Sequence, residues 1–154
     1  MYWKTIENIK ITDLQKCLLK LKKKYIVSPW IEDIVNKNKS KKYKKNKIVH
    51  LYRISVKSLG FKKPTKLKKI YSKIRSKGFS PLPLEYAIYT RLIYDEQPTG
   101  EWLRIAVPFS SMIDSDGVPH LPKLGKGLGK FFIETYWSYP DAIFHPHNDF
   151  IVKK

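Results

Sequence analysis

The chain is poor in cysteine, arginine, acidic residues and long apolar runs. One cysteine in 154 residues excludes an intramolecular disulfide and a multi-cysteine zinc knuckle. No stretch approaches about 18 consecutive apolar residues, so no spanning helix and no membrane partner are expected. Met1-Tyr2-Trp3-Lys4 runs straight into Glu7 and Lys10, without the apolar core of a signal peptide, which points to a cytoplasmic protein. Only 13 Asp+Glu stand against 31 Lys+Arg, for a net charge of +18. Of those 31 cations, only Arg53, Arg75, Arg91 and Arg104 are arginines. The chain is nevertheless 42% hydrophobic and 14% aromatic, too apolar to be wholly disordered. Its length fits one domain, 1–154.

The charge is concentrated. Residues 1–80 hold 24 of the basic residues and 4 of the acidic ones. A one-signed surface concentrates polyanions and speeds their capture. Nucleic acid is the commonest such polymer, and its affinity comes largely from phosphate neutralisation. Specific base contacts favour the planar fork of arginine, so a lysine surface binds phosphate as point charges and reads little sequence. The alternative is a solvated lysine surface that serves solubility and reflects an AT-rich genome.

Residues 12–26 read as a helix, with Thr12 and Gln15 as a capping box. Leu14, Cys17, Leu18, Leu21 and Tyr25 form its apolar stripe, so Cys17 reads as a core residue. A second helix starts at Ser28-Pro29, a cap followed by a favoured first position. The pair has a helix-turn-helix outline, but Glu32 and Asp33 open the second helix where phosphate would meet it, which argues against that role. Residues 37–47 read as an open lysine-rich loop between a helical segment (1–36) and an α+β body (48–154). Its expected role is an electrostatic clamp, with Tyr43 free to stack on bases.

Ile48–Val56 reads as a strand. A helix follows from Pro64-Thr65 to about Lys77, closed by Gly78. Lys66, Lys69, Lys73 and Lys77 form a ridge on it. Tyr86–Tyr94, Trp102–Phe109, Lys130–Trp137 and Phe150–Lys153 read as strands, with a hairpin connection at 95–100 and a turn at Asp114–Gly117. The expected fold class is α+β: two N-terminal helices, then a strand and a helix packed on a mostly antiparallel sheet.

Three motifs look chemical and fall short. Leu124-Gly-Lys-Gly-Leu-Gly-Lys130 lacks the spacing and hydroxyl of a P-loop and reads as a glycine-rich hairpin. Asp114-x-Asp116-Gly117 opens like a calcium loop, but its twelfth position is Gly125. His145-Pro-His147 would need a third metal ligand such as His120, Asp116 or Asp141. No cofactor or metal site is expected.

The phosphate-contact candidates are Lys41, Lys42, Lys44, Lys45, Lys66, Lys69, Lys73 and Lys77. An alternative reading is a small hydrolase or nuclease using Arg91, Arg104, Glu101 and a histidine such as His120. Its bland counterpart is a cross-strand salt bridge, with Arg91, Arg104, Glu101 and Asp95 meeting across a hairpin. A further alternative is a protein-binding module of a toxin, phage or defence system, with Trp102, Trp137 or Phe144 forming an apolar patch.

Several strings carry a resemblance. They are Ser28-Pro-Trp30, Val56-x-x-Leu-Gly-Phe61, Thr65, Ile70-Tyr71, Arg91-Leu-x-Tyr94, Gln97-Pro-x-Gly-Glu-Trp-Leu-x-Ile-Ala106, Asp116-Gly117, Trp137, Pro140-Asp141 and Asp149-Phe150. Together the chain resembles a family of small bacterial proteins. The resemblance covers most of the chain and implies a compact single domain. That family carries no established activity, so no catalytic residue or cofactor transfers. The chain departs from it in the basic helix at 65–77, which in that family is acidic and alanine-rich.

Overall fold

The computed structural model describes residues 1–154 and has a mixed α+β architecture with a large, mostly antiparallel sheet. Its strands are β1 (Tyr2–Ile6), β2 (Ile26–Val27), β3 (Val49–Ser55), β4 (Thr65–Lys66), β5 (Trp102–Ile105), β6 (His120–Gly127), β7 (Lys130–Trp137), β8 (Ile143–Phe144) and β9 (Asp149–Lys153). Seven of them order as β1-β3-β9-β5-β6-β7-β2, while β4 and β8 pair separately. Only β5–β9 and β2–β7 run parallel. The helices are α1 (Leu14–Lys24), α2 (Pro29–Lys37), α3 (Leu67–Ser76) and α4 (Leu84–Tyr89). No helix is long and apolar enough to cross a membrane.

The apolar stripes act as their spacing predicts. Leu14, Cys17, Leu18 and Leu21 of α1, Ile31, Ile34 and Val35 of α2, and Leu67, Ile70, Tyr71 and Ile74 of α3 are all buried in one cluster. Ser28 caps α2 through the Trp30 amide, with Pro29 in its first turn. The cap of α1 is a correction: Asp13, not Thr12, accepts the Lys16 amide at 2.7 Å. A carboxylate placed there satisfies an orphan N–H and suits the helix dipole.

Other expectations also fail. The N-terminal segment is not purely helical, because β1 pairs antiparallel with β3. Its mixed Tyr-Trp-Lys-Thr-Ile composition gives little alternation to read. The two-residue link between α1 and α2 is β2, a strand alongside β7. The polar face of α2 is docked too: Glu32 pairs with Lys22 at 2.5 Å, and Asp33 accepts the Ser115 amide at 2.7 Å.

Residues 84–93 are helical, not a strand: α4 continues into a 3₁₀ turn over Thr90–Ile93. Leu84, Tyr86, Ala87 and Ile88 are all buried, and a short run buried on every side carries no period to separate strand from helix. The expected pairing of 86–94 with 102–109 therefore does not form. β5 pairs instead with β6 and β9.

β6 is longer than its sequence suggests, because Pro122, Gly125 and Gly127 mask it. Pro122 lies just past the last residue that pairs with β5, Lys123, where a missing N–H is tolerated. The β6–β7 hairpin closes at Leu128-Gly129, both with positive φ (51° and 72°), as a two-residue type I′ turn requires.

Cys17 is fully buried, and burial pushes its thiol up to about 11. The reactive form of a cysteine is the thiolate. In the native protein Cys17 should therefore react with Ellman's reagent only as fast as the protein opens. A urea series of labelling rates checks this: reaction at the free-thiol rate without urea would contradict the packing.

Candidate nucleic-acid interface and charged cleft

The lysine-rich segment is stitched down, which corrects the expectation of an open loop. The Leu14 amide donates to the Lys41 carbonyl at 3.1 Å, and Asp13 and Lys42 form a β-bridge. Tyr43 is half-buried, donates to the Glu85 carbonyl at 3.0 Å and packs edge-on to Tyr86 and Tyr89. It is not free to stack on bases. Apolar contact and backbone bonding outweigh the like-charge repulsion that favoured an open chain. Lys41, Lys42, Lys44 and Lys45 remain exposed around this anchor, with no carboxylate within ion-pair distance.

Lys69 and Lys73 of α3, with Lys66 just before the helix and Lys77 just after it, follow one another at helical spacing on a face beside the buried stripe. Lys66 lies 3.6 Å and Lys68 3.1 Å from Asp141; Lys69, Lys73 and Lys77 have no such partner. The 108–111 loop lies between the two basic groups. Phe109 stacks on Tyr71 of α3 with centroids 5.0 Å apart. Pro108, Ser110 and Ser111 line a cleft of about 490 Å³ together with Lys41 and Lys153. None of the nine lining residues is acidic. Lys66 and Lys69 border a separate hollow beside Ile143. Lys153 was not legible as a site residue, because it lies outside the basic half and within a strand pattern.

A second concave site holds charges of both signs. Arg53, Glu101, Arg104, His147, Asn148 and Asp149 line a cleft of about 350 Å³ at the starts of β5 and β9. Arg53 donates to Asp149 at 2.7 Å and to Glu101 at 3.0 Å, and Tyr94 donates to the other Glu101 oxygen at 2.6 Å. Burial opposes the Arg53 charge, but its two carboxylate partners outweigh it and raise its pKa. Arg104 has no carboxylate partner. This chain matches no family model, no curated protein and no solved structure.

The four residues of the hydrolase alternative do not join one another: no hydrogen bond or ion pair links any two of Arg91, Arg104, Glu101 and His120. Nor do Arg91, Arg104, Glu101 and Asp95 form the expected cross-strand cluster. Arg91 is fully buried. Its guanidinium donates to Gln97 Oε1 at 2.7 Å, to the Phe132 carbonyl at 3.1 Å, to the Gly125 carbonyl at 3.3 Å and to the Tyr94 carbonyl. The rings of Tyr25 and Phe131 lie against it. Burial without a carboxylate lowers its pKa. Asp95 instead pairs with Lys24 and accepts from Tyr25.

His120 is buried beneath Trp30, stacked at 5.6 Å. Its Nε2 lies 2.8 Å from Asp114 and its Nδ1 3.0 Å from the Thr135 hydroxyl. The Asp116 and Val118 amides hold the other Asp114 oxygen at 2.8 and 2.9 Å. This network closes the Asp114–Gly117 turn and docks it onto β7. His145 and His147 stack at 5.6 Å, and no group of three His, Cys, Asp or Glu side chains is placed to hold a metal ion. Of the proposed apolar patch, Trp102 and Trp137 are exposed, but Phe144 is buried between Tyr136 and Phe150.

Two outcomes follow from this geometry. Arg91→Ala leaves several buried acceptors unsatisfied and should cost about 3 kcal/mol or more, read from urea unfolding; an unchanged midpoint would contradict the clamp. The His120 bond, against the cost of burial, lowers the Asp114 pKa below its ordinary 3.8. A depressed carboxylate contributes stability that is present above its unfolded value and lost as pH falls through its folded one. Asp114→Asn should therefore destabilise the protein at pH 7. Its loss of stability below about pH 4 should also be shallower than the wild type's.

Proposed function

We propose that the protein is a non-enzymatic accessory protein of the bacterial cytoplasm that binds nucleic acid through lysines, with little sequence preference. The observation that carries the reading is the cleft bounded by Lys41 and Lys153, which has no acidic residue in its lining. Lys42, Lys44 and Lys45 extend the positive surface on the Lys41 side. Lys69 and Lys73 of α3, and Lys77 just after it, lie beyond the 108–111 loop and act as a flanking contact. Each ammonium neutralises a phosphate and releases a condensed counterion. The small number of arginines fits a surface that follows the backbone more than the base edges.

Fluorescence anisotropy with labelled single-stranded RNA and duplex DNA tests this. Binding in roughly the micromolar range is expected at low salt, with log K falling by about 0.7–0.9 per neutralised phosphate as log salt rises. The Lys41→Gln/Lys153→Gln double variant should reduce that slope by about 1.5. Lys66→Gln, whose partner Asp141 already offsets its charge, should change it much less. No retention in dilute buffer, or an unchanged slope in the double variant, would refute the proposal.

A further inference from the structure

The half of the sheet formed by β5, β6 and β7 carries two cations, Arg104 and Lys123, with no carboxylate within ion-pair distance. Leu103 and Ile105 point into the core, so Trp102 and Arg104 face the other way. Strand register sets Arg104 beside Lys123, and Lys123 beside Glu134. The next row is Trp102, Gly125 and Phe132. A Cβ on Gly125 would lie 2.3 Å from the Trp102 ring, so the glycine lets the indole lie flat across β6. Lys123 Nζ sits 4.5 Å from the centre of that indole ring and 5.6 Å from that of Tyr136. The Arg104 guanidinium is 6.0 Å from the Tyr136 ring.

Both cations are half-buried and incompletely bonded. Arg104 Nε is buried with no partner, and its one hydrogen bond is a long 3.4 Å contact to the Trp102 carbonyl. Lys123 has no carboxylate within ion-pair distance, although Glu134 lies beside it. Burial lowers the pKa of both groups and the charge of Arg104 lowers that of Lys123 further, while Glu134 near Lys123 and Asp149 near Arg104 offset only part of this. Of the neighbouring carboxylates, Glu101 and Asp149 are bonded to Arg53, and Glu134, across from Lys123 on β7, forms no ion pair with it. Two adjacent like charges held partly out of water repel one another, and an anion bridging Lys123 and the terminal N–H groups of Arg104 would offset that cost. Arg104 also lines the 350 Å³ cleft, with His147 and Asn148 among its other walls.

We propose that Arg104 and Lys123 form a binding site for a doubly charged phosphate group, a phosphomonoester, entering from the cleft beside Trp102. Two unneutralised cations match a dianion better than the single charge of a phosphodiester linkage. The planar fork of Arg104 presents donors to its oxygens, and Lys123 adds a mobile charge. The site does not rest on the lysine surface proposed for nucleic acid. Its source is either a small phosphorylated molecule or the terminal phosphate of a nucleic-acid strand.

Titration calorimetry with methyl phosphate and dimethyl phosphate at matched ionic strength tests the site. Methyl phosphate should saturate and bind about tenfold more tightly than the diester. Arg104→Met and Lys123→Met should each weaken it by about tenfold. Neither variant should melt lower than the wild type, because each removes an uncompensated charge. Retained folding also makes the binding loss interpretable. Equal affinity for the two esters, no saturation, or unchanged binding in both variants would overturn the site. An oligonucleotide pair with 5′-phosphate or 5′-hydroxyl ends separates the sources. A preference for the phosphorylated end that Arg104→Met abolishes identifies a strand terminus. No preference, with methyl phosphate still binding, identifies a small phosphomonoester. Because Lys41→Gln/Lys153→Gln leaves this site intact, failure of one proposal is distinguishable from failure of the other.

Discussion

A guanidinium sealed inside the protein ties the non-repetitive segment 90–101 to the sheet. Arg91 bonds the carbonyls of Tyr94, Gly125 and Phe132 and the side chain of Gln97. Gln97 in turn donates to the carbonyls of Glu101 and Leu124. These bonds connect the end of the 3₁₀ turn, the start of β5 and the middle of the β6–β7 hairpin. A buried arginine without a carboxylate is tolerable only because so many acceptors surround it. The position of β5 relative to β6 follows from this clamp. So do the places of Glu101, Trp102 and Arg104, and with them the shape of the charged cleft.

The excess of positive charge takes two physical forms. Most lysines are solvated, and their mutual repulsion is a long-range, salt-screened effect. They act collectively, by raising the local concentration of an anionic polymer. Arg104 and Lys123 differ, because partial burial deprives them of water while no carboxylate replaces it. Screening acts weakly there, so one bound anion changes the local energy far more than one counterion does at the surface. Arg53 shows the compensated case beside them, with Asp149 and Glu101 taking up its donors.

Much of the architecture could be read directly from the chain. Where one face of an element is wet and the other dry, as in α1, α2 and α3, the apolar spacing names both the helix and its buried side. Ser28-Pro29 caps a helix as its local chemistry predicts, and the glycine-rich run at 124–130 forms the expected hairpin, although its turn holds Leu128 at a positive φ that a leucine rarely adopts. Reading failed where burial is complete or composition is mixed. Leu84–Ile93 is mostly buried, with partly covered residues scattered along it, and carries no clear period. β1 is an edge strand with weak alternation, and β6 is disguised by a proline and two glycines. The lysine candidates were legible as residues, while the company they keep was not. Tyr43 turned inward, Lys66 found Asp141, and Lys153 joined Lys41 from the far end of the chain.

The amino-acid order alone determined the α+β class, the core faces of three helices, the buried cysteine and the size and sign of the charge. Each of these depends on residues near one another in sequence or on a sum over all of them. Only the tertiary structure decided which charges are compensated. Arg53, Arg91 and Arg104 look alike in sequence, yet one is doubly ion-paired, one is a buried clamp on four acceptors and one is half-buried with a single long hydrogen bond. Charge compensation acts over a few ångströms, between groups that the chain brings together from many residues apart.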